Sequence, residues 1–525
     1  MTYTYVTRLW LLWAIVILLS ACVKNQQKEM NLDSQKSEVA IMPMNEQFRP
    51  QFHFTPQEKW MNDPNGLVYH NGVYHLFYQY YPEDIIWGPM HWGHATSKDL
   101  ISWEHKPIAL FPDEHGLIFS GSAVVDVHNT SGFGTKENPP LVAMFTYHLM
   151  EGEKAGRNDF QTQGIAYSVD NGDTWTKYEG NPVIGNKDIK DFRDPKVFWH
   201  DETKQWVMVL VAGDHAKFYS SSDLKSWTYM SDFGQDKGAH GGVWECPDLF
   251  KLKIEGTEEE KWVLLISINP GAPNGGSGTQ YFVGDFDGKT FTTDHDDEKW
   301  IDYGTDNYAG VTYNNTPNNE RIFIGWMSNW NYARDTPTKT WRSAMTLPRE
   351  LTLHNEKGID FLKNYPIPSF DNQLEEMDII PSNSNGSLVV DTIDLDKTNV
   401  SLSARLDQNL TIEMKNSQGE VLKFQIDSKT NQLILDRTQS GIVDFEKSFG
   451  ASVHKQPYIS KEELVEIRII VDRSSVEVFV DKGRYVFTDQ IFPTEAYNKL
   501  SIFSNNDIVA DNLHIKSVKS IWKTN

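Results

Sequence analysis

Residues 168–175 read SVDNGDTW, and this stretch sets the fold prediction. Related copies stand at 97–103 (SKDLISW) and 221–227 (SSDLKSW), with a degenerate copy at 285–291 (DFDGKTF). Each copy is a turn rich in Ser, Asp, Asn or Gly that an aromatic residue closes. Repeats spaced by several tens of residues are typical of four-stranded blades arranged round a central channel. The repeats therefore predict a β-propeller.

The chain around these repeats consists of short runs rich in Val, Tyr, Phe and Ile, separated by turn residues. The residue pattern changes at YPIP (365–368), a Pro-containing connector of the kind that joins domains. Beyond it, runs such as 464–471 and 475–480 alternate apolar and polar residues, which predicts an antiparallel β-sandwich. We expect an all-β chain with a catalytic propeller at 48–362, a linker at 363–373 and a sandwich at 374–525.

Composition restricts the kind of partner. The 525 residues exceed the size of one ordinary core, which agrees with two domains. A formal net charge of -23 argues against nucleic acid or an anionic membrane surface, because both require clustered Lys and Arg. The 17 tryptophans suit a protein that stacks sugar rings on indoles. A neutral carbohydrate is therefore the expected substrate.

The N-terminus carries the features of an export signal. An apolar run at 9–19 is too short to span a bilayer and matches the core of a secretory signal. It leads into LSAC (19–22), which resembles a bacterial lipoprotein signal, in which cleavage before Cys22 leaves that residue lipid-modified. The alternative is a plain secretory signal with a chance cysteine. We expect a signal peptide at 1–21, a lipid-anchored polar tether at 22–47, and a place in the cell envelope, periplasmic or at the cell surface.

Three stretches place a carboxylate beside a proline at the start of a β run: WMNDPNG (60–66), DFRDP (191–195) and WECPD (244–248). If each opens an inner strand of a blade, the carboxylates converge at one mouth of the channel. Glycoside cleavage needs such a group, with one carboxylate at the anomeric carbon and a protonated one at the leaving oxygen.

Local sequence suggests different roles for these carboxylates. Apolar flanks favour the protonated form of Glu245, whereas Arg193 should keep Asp194 ionised and fit to hold sugar hydroxyls. Trp60 offers a flat face for a sugar ring. The alternatives are an ordinary turn at 60–66, a structural ion pair of Arg193 with Asp194, and a plain strand-start residue at Glu245.

The three stretches in this order, together with DRSSVEVF at 472–479, resemble glycoside hydrolase family 32, which comprises invertases, inulinases, levanases and other β-fructofuranosidases. The resemblance implies a five-bladed propeller with an appended sandwich. It also implies a retaining mechanism with Asp63 as nucleophile, Glu245 as general acid/base and Asp194 as transition-state stabiliser.

Further matches to the family imply contacts with fructose from Asn62, Gln79, Trp87, Phe119, Ser120, Arg193, Tyr308 and Trp330. The stretches 326–333 and 341–350 look more like fructan-degrading exo-enzymes than sucrose-restricted invertases. We therefore expect fructose release from levan or inulin, with sucrose as a further substrate. An endo-acting levanase or inulinase stays open, as does a glycan-binding surface lipoprotein without activity.

Neither a cofactor nor a metal is expected. His91 and His94 lack a nearby Cys or carboxylate to complete a zinc site. The acidic cluster at 294–298 lacks the ligand spacing and glycine of a calcium loop. The turn at 168–175 also occurs in sialidases, but no arginine cluster accompanies it here. An inverting arabinanase-like enzyme would explain the stretch at 60–66 less well.

Overall fold

The computed structural model describes residues 44–384, 387–405, 409–459, 464–504 and 513–522. The predicted signal peptide (1–21), Cys22 and most of the predicted tether (22–47) lie outside these ranges. Within the described residues the chain is β-structure apart from one short α-helix, α1 (Met150–Lys154), and one 3-10 helix (Pro368–Gln373). In the same residues, no helix is long and apolar enough to span a bilayer. The prediction of an all-β chain is confirmed.

The N-terminal half consists of strands joined mostly by hairpins. In chain order they are β1 (Lys59–His70), β2 (Val73–Tyr81), β3 (His91–Ser97), β4 (Trp103–Leu110), β5 (Leu117–Val125), β6 (Leu141–His148), β7 (Gln161–Ser168), β8 (Thr176–Lys177), β9 (Phe192–His200), β10 (Gln205–Ala212), β11 (Ala216–Ser221), β12 (Thr228–Phe233), β13 (Val243–Lys253), β14 (Glu260–Asn269), β15 (Gly278–Phe286), β16 (Phe291–Thr292), β17 (Lys299–Trp300), β18 (Tyr308–Thr312), β19 (Ile322–Met327), β20 (Trp341–Arg342), β21 (Ala344–Met345), β22 (Arg349–Glu356) and β23 (Ile359–Pro366).

These strands pair into five sheets. Sheet 1 has the order β20-β1-β2-β3-β4, sheet 2 β5-β6-β7-β8 and sheet 3 β9-β10-β11-β12. Sheet 4 is β13-β14-β15-β16 with β17 paired to β15, and sheet 5 is β18-β19-β22-β23 with β21 paired to β19. The first strands are neighbours in the cyclic order β1, β5, β9, β13, β18 and back to β1. The half is therefore propeller-like, with these five strands innermost.

Apolar side chains fill the spaces between neighbouring sheets. Phe77 and Trp92 of sheet 1, for example, pack in one buried cluster with Ile118 and Phe145 of sheet 2. Comparable clusters join sheets 2 and 3, 3 and 4, and 4 and 5. A further cluster joins sheets 5 and 1, so each sheet is covered on both faces by its neighbours, and strands such as β6, β18 and β19 are buried along their whole length.

The four sequence repeats occupy equivalent hairpins, between the third and fourth strands of sheets 1 to 4. In each one an Asp side chain accepts hydrogen bonds from backbone N–H groups further along the turn; the bond from Ser102 N–H to Asp99 is 2.7 Å and that from Ser226 N–H to Asp223 is 2.7 Å. The residue after each Asp has a positive φ: Leu100 (66°), Asn171 (59°), Leu224 (61°) and Gly288 (88°). The hairpin between β22 and β23 of sheet 5 carries no copy of the repeat.

The C-terminal half is sandwich-like. Its described strands are β24 (Leu374–Glu376), β25 (Ser382–Ser384), β26 (Ser387–Asp391), β27 (Thr398–Arg405), β28 (Leu410–Lys415), β29 (Val421–Asp427), β30 (Gln432–Gln439), β31 (His454–Pro457), β32 (Leu464–Asp472), β33 (Ser475–Val480), β34 (Tyr485–Gln490), β35 (Lys499–Ser504) and β36 (Leu513–Val518). They form one sheet of order β24-β36-β27-β32-β33-β34 and another of order β25-β26-β35-β28-β29-β30-β31. A single apolar cluster lies between the two sheets.

The expected linker at 363–373 contains the end of β23 and the 3-10 helix. Its first part is therefore extended and paired with β22, where Tyr365 lies opposite Glu350. Pro366, which has no N–H to donate, stands at the last position of β23, where a missing ladder bond costs least.

Buried polar groups join the two halves. Asp472 of the sandwich accepts the backbone N–H of Gln51 at 2.8 Å and lies 2.9 Å from Nδ1 of His53. Glu477 lies 2.9 Å from the guanidinium of Arg349 on β22. Burial opposes a charge on His53, but the hydrogen bonds and charges of Asp472 and Glu477 outweigh it and raise the pKa of His53 to about 9. The acidic residues of the stretch 472–479 thus fasten the sandwich to the propeller-like half.

Candidate active site

Every innermost strand carries an irregularity near its start. The register of pairing shifts between Met61 and Pro64 in β1, Ile118 and Gly121 in β5, Arg193 and Lys196 in β9, Glu245 and Asp248 in β13, and Tyr308 and Val311 in β18. A β-bulge re-aims side chains that would otherwise alternate between the two faces of a strand. Consecutive residues, such as Asn62 with Asp63 or Arg193 with Asp194, can therefore face the same space.

That space is a cavity of about 530 Å³. Its lining includes ten of the residues singled out from the sequence, namely Asn62, Asp63, Gln79, Trp87, Phe119, Ser120, Arg193, Asp194, Glu245 and Trp330. The three stretches at 60–66, 191–195 and 244–248 thus bring their carboxylates to one place. The stretch at 60–66 is bulged strand rather than the ordinary turn considered as an alternative.

Asp63 is held by hydrogen bonds to both of its carboxylate oxygens. Asn62 Nδ2 donates to Oδ1 at 2.9 Å, and the Ser120 hydroxyl donates to Oδ2 at 2.7 Å. Burial, followed by the charge of Glu245, raises the pKa of Asp63, while the two donors act in the opposite direction. Both donors therefore favour the ionised form that a nucleophile requires.

Asp194 is more deeply buried, with 5% of the residue exposed. Its φ is 62°, and its Oδ2 accepts the backbone N–H of Cys246 at 3.0 Å. Burial raises the pKa of Asp194 to about 7, although the positive charge of Arg193 opposes the change. The expectation that Arg193 keeps Asp194 ionised is therefore too simple, because desolvation exceeds the effect of this one charge.

Arg193 joins the carboxylates of the site. Its guanidinium donates to Asp191 Oδ1 at 2.6 Å and to Glu245 Oε1 at 2.8 Å. The other oxygen of Glu245, Oε2, accepts the hydroxyl of Tyr308. Burial raises the pKa of Tyr308 well above its ordinary value, so this hydroxyl keeps its proton and acts as a donor. Tyr308 thus reaches the site through Glu245 rather than by lining the cavity.

The thiol of Cys246 lies between two of the carboxylates. Its Sγ is 3.7 Å from Asp63 Oδ2 and 3.7 Å from Asp194 Oδ2. Burial raises the pKa of Cys246 well above that of an ordinary thiol, and the neighbouring carboxylates add to the effect. Cys246 is therefore a neutral group that fills the space between Asp63 and Asp194 without adding charge.

Trp60 has a different place from the one expected. It is 0% exposed and packs with Trp326 and Trp330, so its ring offers no face to a sugar. Its indole N–H instead donates to Asn62 Oδ1 at 2.7 Å. This bond fixes the amide orientation in which Asn62 donates to Asp63. Trp60 thus orients Asn62, which in turn donates to the carboxylate of Asp63. The prediction of sugar stacking by Trp60 is wrong.

The cavity also includes residues that the sequence did not point to: His148, Glu153, Gln161, Asn269, Pro270 and Arg334. His148 stacks on Phe119 with ring centroids 4.2 Å apart, and its Nε2 lies 3.1 Å from Glu153 on α1. These residues come from the ends of β6, β7 and β14, from α1 and from the segment after β19, away from the three stretches. Asp191 and Asn331 lie within the stretches 191–195 and 326–333, but the direction of their side chains could not be predicted from the sequence.

Comparison with known proteins agrees with this geometry. Family models described as "Glycosyl hydrolases family 32 N-terminal domain" and "Glycosyl hydrolases family 32 C terminal" match residues 53–364 and 371–520. A levanase of Bacillus subtilis is 46% identical over 91% of this chain and 72% of its own length. An extracellular exo-inulinase of Aspergillus niger is 41% identical over 90% of this chain and 95% of its own.

Solved structures give the same result at the level of the fold. The crystal structure of an exo-inulinase from Aspergillus awamori superposes with a TM-score of 0.84 and 40% identity, covering 92% of this chain and 100% of that one. The two family models together span both halves of the chain and all three carboxylate stretches. The chain is therefore a glycoside hydrolase that belongs to glycosyl hydrolase family 32.

Proposed function

We propose that the protein is a retaining, exo-acting β-fructosidase that releases fructose from fructans such as levan and inulin and also cleaves sucrose. The observation that carries this proposal is the single cavity that gathers Asp63, Asp194 and Glu245 with most of the side chains expected to bind fructose. The names of the relatives, a levanase and exo-inulinases, favour fructans over sucrose alone and exo over endo action.

In the first step, an oxygen of ionised Asp63 attacks the anomeric carbon C2 of the terminal fructosyl unit. The bond from C2 to the glycosidic oxygen breaks as Glu245 gives its proton to that oxygen. Arg193 donates to Glu245 Oε1, so the transferable proton belongs on Oε2. Tyr308 contacts that same oxygen and must then accept from it or move aside.

In the second step, Glu245 is a carboxylate and takes a proton from water as the water oxygen attacks C2. The bond from C2 to Asp63 breaks, and fructose leaves with its original anomeric configuration. Oδ2 of Asp194 is occupied by the N–H of Cys246. Its Oδ1 makes no hydrogen bond within the described residues, which leaves it free to accept sugar hydroxyls.

The same proposal covers architecture and location. The five sheets with their cyclic order of inner strands support a five-bladed propeller at 48–362, followed by the linker at 363–373 and the sandwich at 374–525. The signal sequence supports lipidation of Cys22 and a place in the cell envelope. Labelling with a radioactive fatty acid tests the anchor, because Cys22→Ser should abolish incorporation.

The activity is tested with levan, inulin and sucrose as substrates and with the products separated by chain length. We expect fructose as the main early product of the wild type. Asp63→Ala and Glu245→Ala should each lower kcat by at least about a thousandfold, because each removes a group that acts in both steps. For Glu245→Ala, added azide should raise turnover of fructosyl fluoride and give fructosyl azide, since this leaving group needs no general acid and this nucleophile needs no general base.

Glu179→Ala is the control, since Glu179 is exposed and lies outside the cavity. Early oligosaccharides in place of fructose would replace exo with endo action. An absence of products from all three sugars would contradict the fructosidase proposal and favour a glycan-binding protein without activity.

A further inference from the structure

A second cavity, of about 490 Å³, lies among the far ends of the inner strands. Its lining comes from the ends of β5 and β9, the middle of β13 and the segment after β18. The active-site residues stand near the starts of these same strands. From Asp194 to Trp199 a strand advances by roughly 15 Å, at about 3.3 Å per residue. The two cavities therefore belong to opposite ends of the ring of inner strands.

Aromatic rings form much of the wall of this second cavity. Trp199 packs edge-on against Trp206 with centroids 5.2 Å apart, and Phe198 lies 5.6 Å from Trp262. Trp206 is fixed by a hydrogen bond from its indole N–H to Thr130 at 2.8 Å. Phe198 and Trp199 are half-buried, so their rings can offer a sugar apolar contact at little cost in conformational entropy, while the buried rings of Trp206 and Trp262 hold them in place.

Arg321 lines the cavity with most of its donors unused. Its Nη1 makes two long hydrogen bonds, 3.5 Å to Thr312 Oγ1 and 3.4 Å to the Tyr313 carbonyl. Within the described residues no bond forms to Nε or Nη2, and no carboxylate lies within ion-pair distance. The guanidinium stacks on Phe250 at 4.8 Å, which holds it in place. The unbonded N–H groups of this fixed guanidinium favour a ligand rich in acceptor oxygens.

The remaining charges around the cavity are paired. Glu202 lies 2.7 Å from Lys251 and 3.2 Å from His200, so neither sign of charge is in clear excess. This balance favours a neutral ligand over an anion. Asn315 donates through Nδ2 to the Tyr69 carbonyl at 2.9 Å, and its side-chain carbonyl oxygen accepts no hydrogen bond from the part of the chain that the structure describes. A cavity wall of aromatic rings that also carries hydrogen-bond donors and acceptors is typical of a carbohydrate-binding site.

We propose that this cavity is a second, non-catalytic binding site for a neutral sugar chain. On the strength of the proposed function, its ligand is a segment of fructan. A polymer held there keeps the enzyme on its substrate and raises the local concentration of chain ends for the catalytic cavity. The site should therefore matter for long fructans and not for short ones.

The test uses the rim residue Val127, which is 51% exposed, so that replacement does not disturb the core. Val127→Arg should obstruct the cavity. Val169→Arg is the matched control, with the same substitution at a residue that is 45% exposed and lies outside both cavities. We expect Val127→Arg to raise KM for high-molecular-mass levan or inulin about tenfold, with kcat and the kinetics on a fructose trisaccharide unchanged.

Binding is measured separately by calorimetry on full-length protein carrying Asp63→Ala, with an inulin-derived oligosaccharide of about ten units as the probe. Two sites per chain are expected, one site after Val127→Arg, and two after Val169→Arg. Arg321→Gln should weaken the second site about tenfold, as expected for the loss of a charged donor.

A single site in both Asp63→Ala and Asp63→Ala/Val127→Arg would overturn the inference, as would equal KM values for the two arginine variants. Either result leaves fructose release by the wild type intact, so the proposed function would stand. If the wild type released no fructose, the proposed function would fail, and binding of the same probe at two sites would still report on the second cavity.

Discussion

The hydroxyl of Ser120 and the amide of Asn62 both favour the ionised form of Asp63, against the effects of burial and of Glu245. Ser120→Ala removes the 2.7 Å donor to Oδ2 and so destabilises the ionised carboxylate relative to the protonated one. The pKa of Asp63 should rise, and the acid limb of kcat/KM should move to higher pH. We also expect kcat/KM at the optimum to fall about tenfold to a hundredfold, as for a hydrogen bond to a charged group.

Ser122→Ala is the control for this measurement. Ser122 lies in the same strand and donates instead to the carbonyl of Pro195 at 2.9 Å, away from Asp63. A pH profile of fructose release for wild type and both variants separates the two serines. An acid limb that moves equally in both would mean that the shift arises from strand β5 rather than from the bond to Asp63.

Residue identity was the part of the site that sequence conveyed best. The three carboxylates stand in compact stretches, and each of them reaches the cavity. The state of those groups was harder to predict, because it depends on burial that only the fold creates. Asp194 shows this: the neighbouring Arg193 is visible in sequence, whereas the desolvation that raises the pKa of Asp194 to about 7 is not. Trp60 shows it too, since nothing local reveals its complete burial.

Strand β1 depends on a glycine at its irregular centre. Gly66 has a φ of 55°, and a Cβ there would lie 2.6 Å from the ring of Phe77 and 3.0 Å from that of Trp92. Gly66→Ala should cost about 3 kcal/mol or more, because backbone strain and overpacking add. It should also lower activity by displacing Asp63 in the same strand. Thermal unfolding and fructose release measure the two effects.

Gly72→Ala separates strain from crowding. Gly72 also has a positive φ, 83°, but nothing lies within 4 Å of the added Cβ. Its replacement should cost only about 1 kcal/mol and leave activity unchanged. Equal losses of stability at the two glycines would show that the contact with Phe77 is not the source of the effect.

Elements were predictable where a local signal repeats. The turns at 97–103, 168–175, 221–227 and 285–291 mark the same hairpin in four sheets, because an Asp side chain and a positive φ fix each turn locally. Sheet 5 lacks this turn, and only the pairing of its strands in the structure identifies it as a fifth sheet. Alternation at 475–480 correctly indicated a sandwich strand, yet β33 is buried on both faces. Glu477 and Phe479 face the propeller-like half, a contact that no periodicity reveals.

The junction between the two halves should make stability depend on pH. The pKa of His53 is about 9 in the folded protein against about 6.5 when unfolded, so folding takes up a proton between these values. The contribution is complete below about pH 6.5 and is lost as the pH rises through about 9. It amounts to about 3 kcal/mol. Urea unfolding from pH 6 to 10 should show this decline.

His53→Gln should flatten the decline, whereas the exposed His514→Gln should leave it as in the wild type. A wild-type stability that is constant from pH 6.5 to 9 would contradict the assigned charge on His53. The pairing of His53 with Asp472 and Glu477 joins residues more than four hundred positions apart in sequence. Such a contact is set by the packing of the two halves, so the sequence alone did not reveal it.

The irregularities of the inner strands also limit how the chain can change in length. Side chains of a strand alternate with a period of two, so adding or removing one residue reverses every position beyond the change. In β9 the bulge between Arg193 and Lys196 lets Arg193 and Asp194 face the cavity while the rest of the strand packs between neighbouring sheets. A deletion there would reverse the faces of all later side chains in the strand while leaving its composition almost intact. Tolerance of point substitutions around the cavity should therefore exceed tolerance of single-residue insertions and deletions, and a scan of both kinds of change would measure the difference.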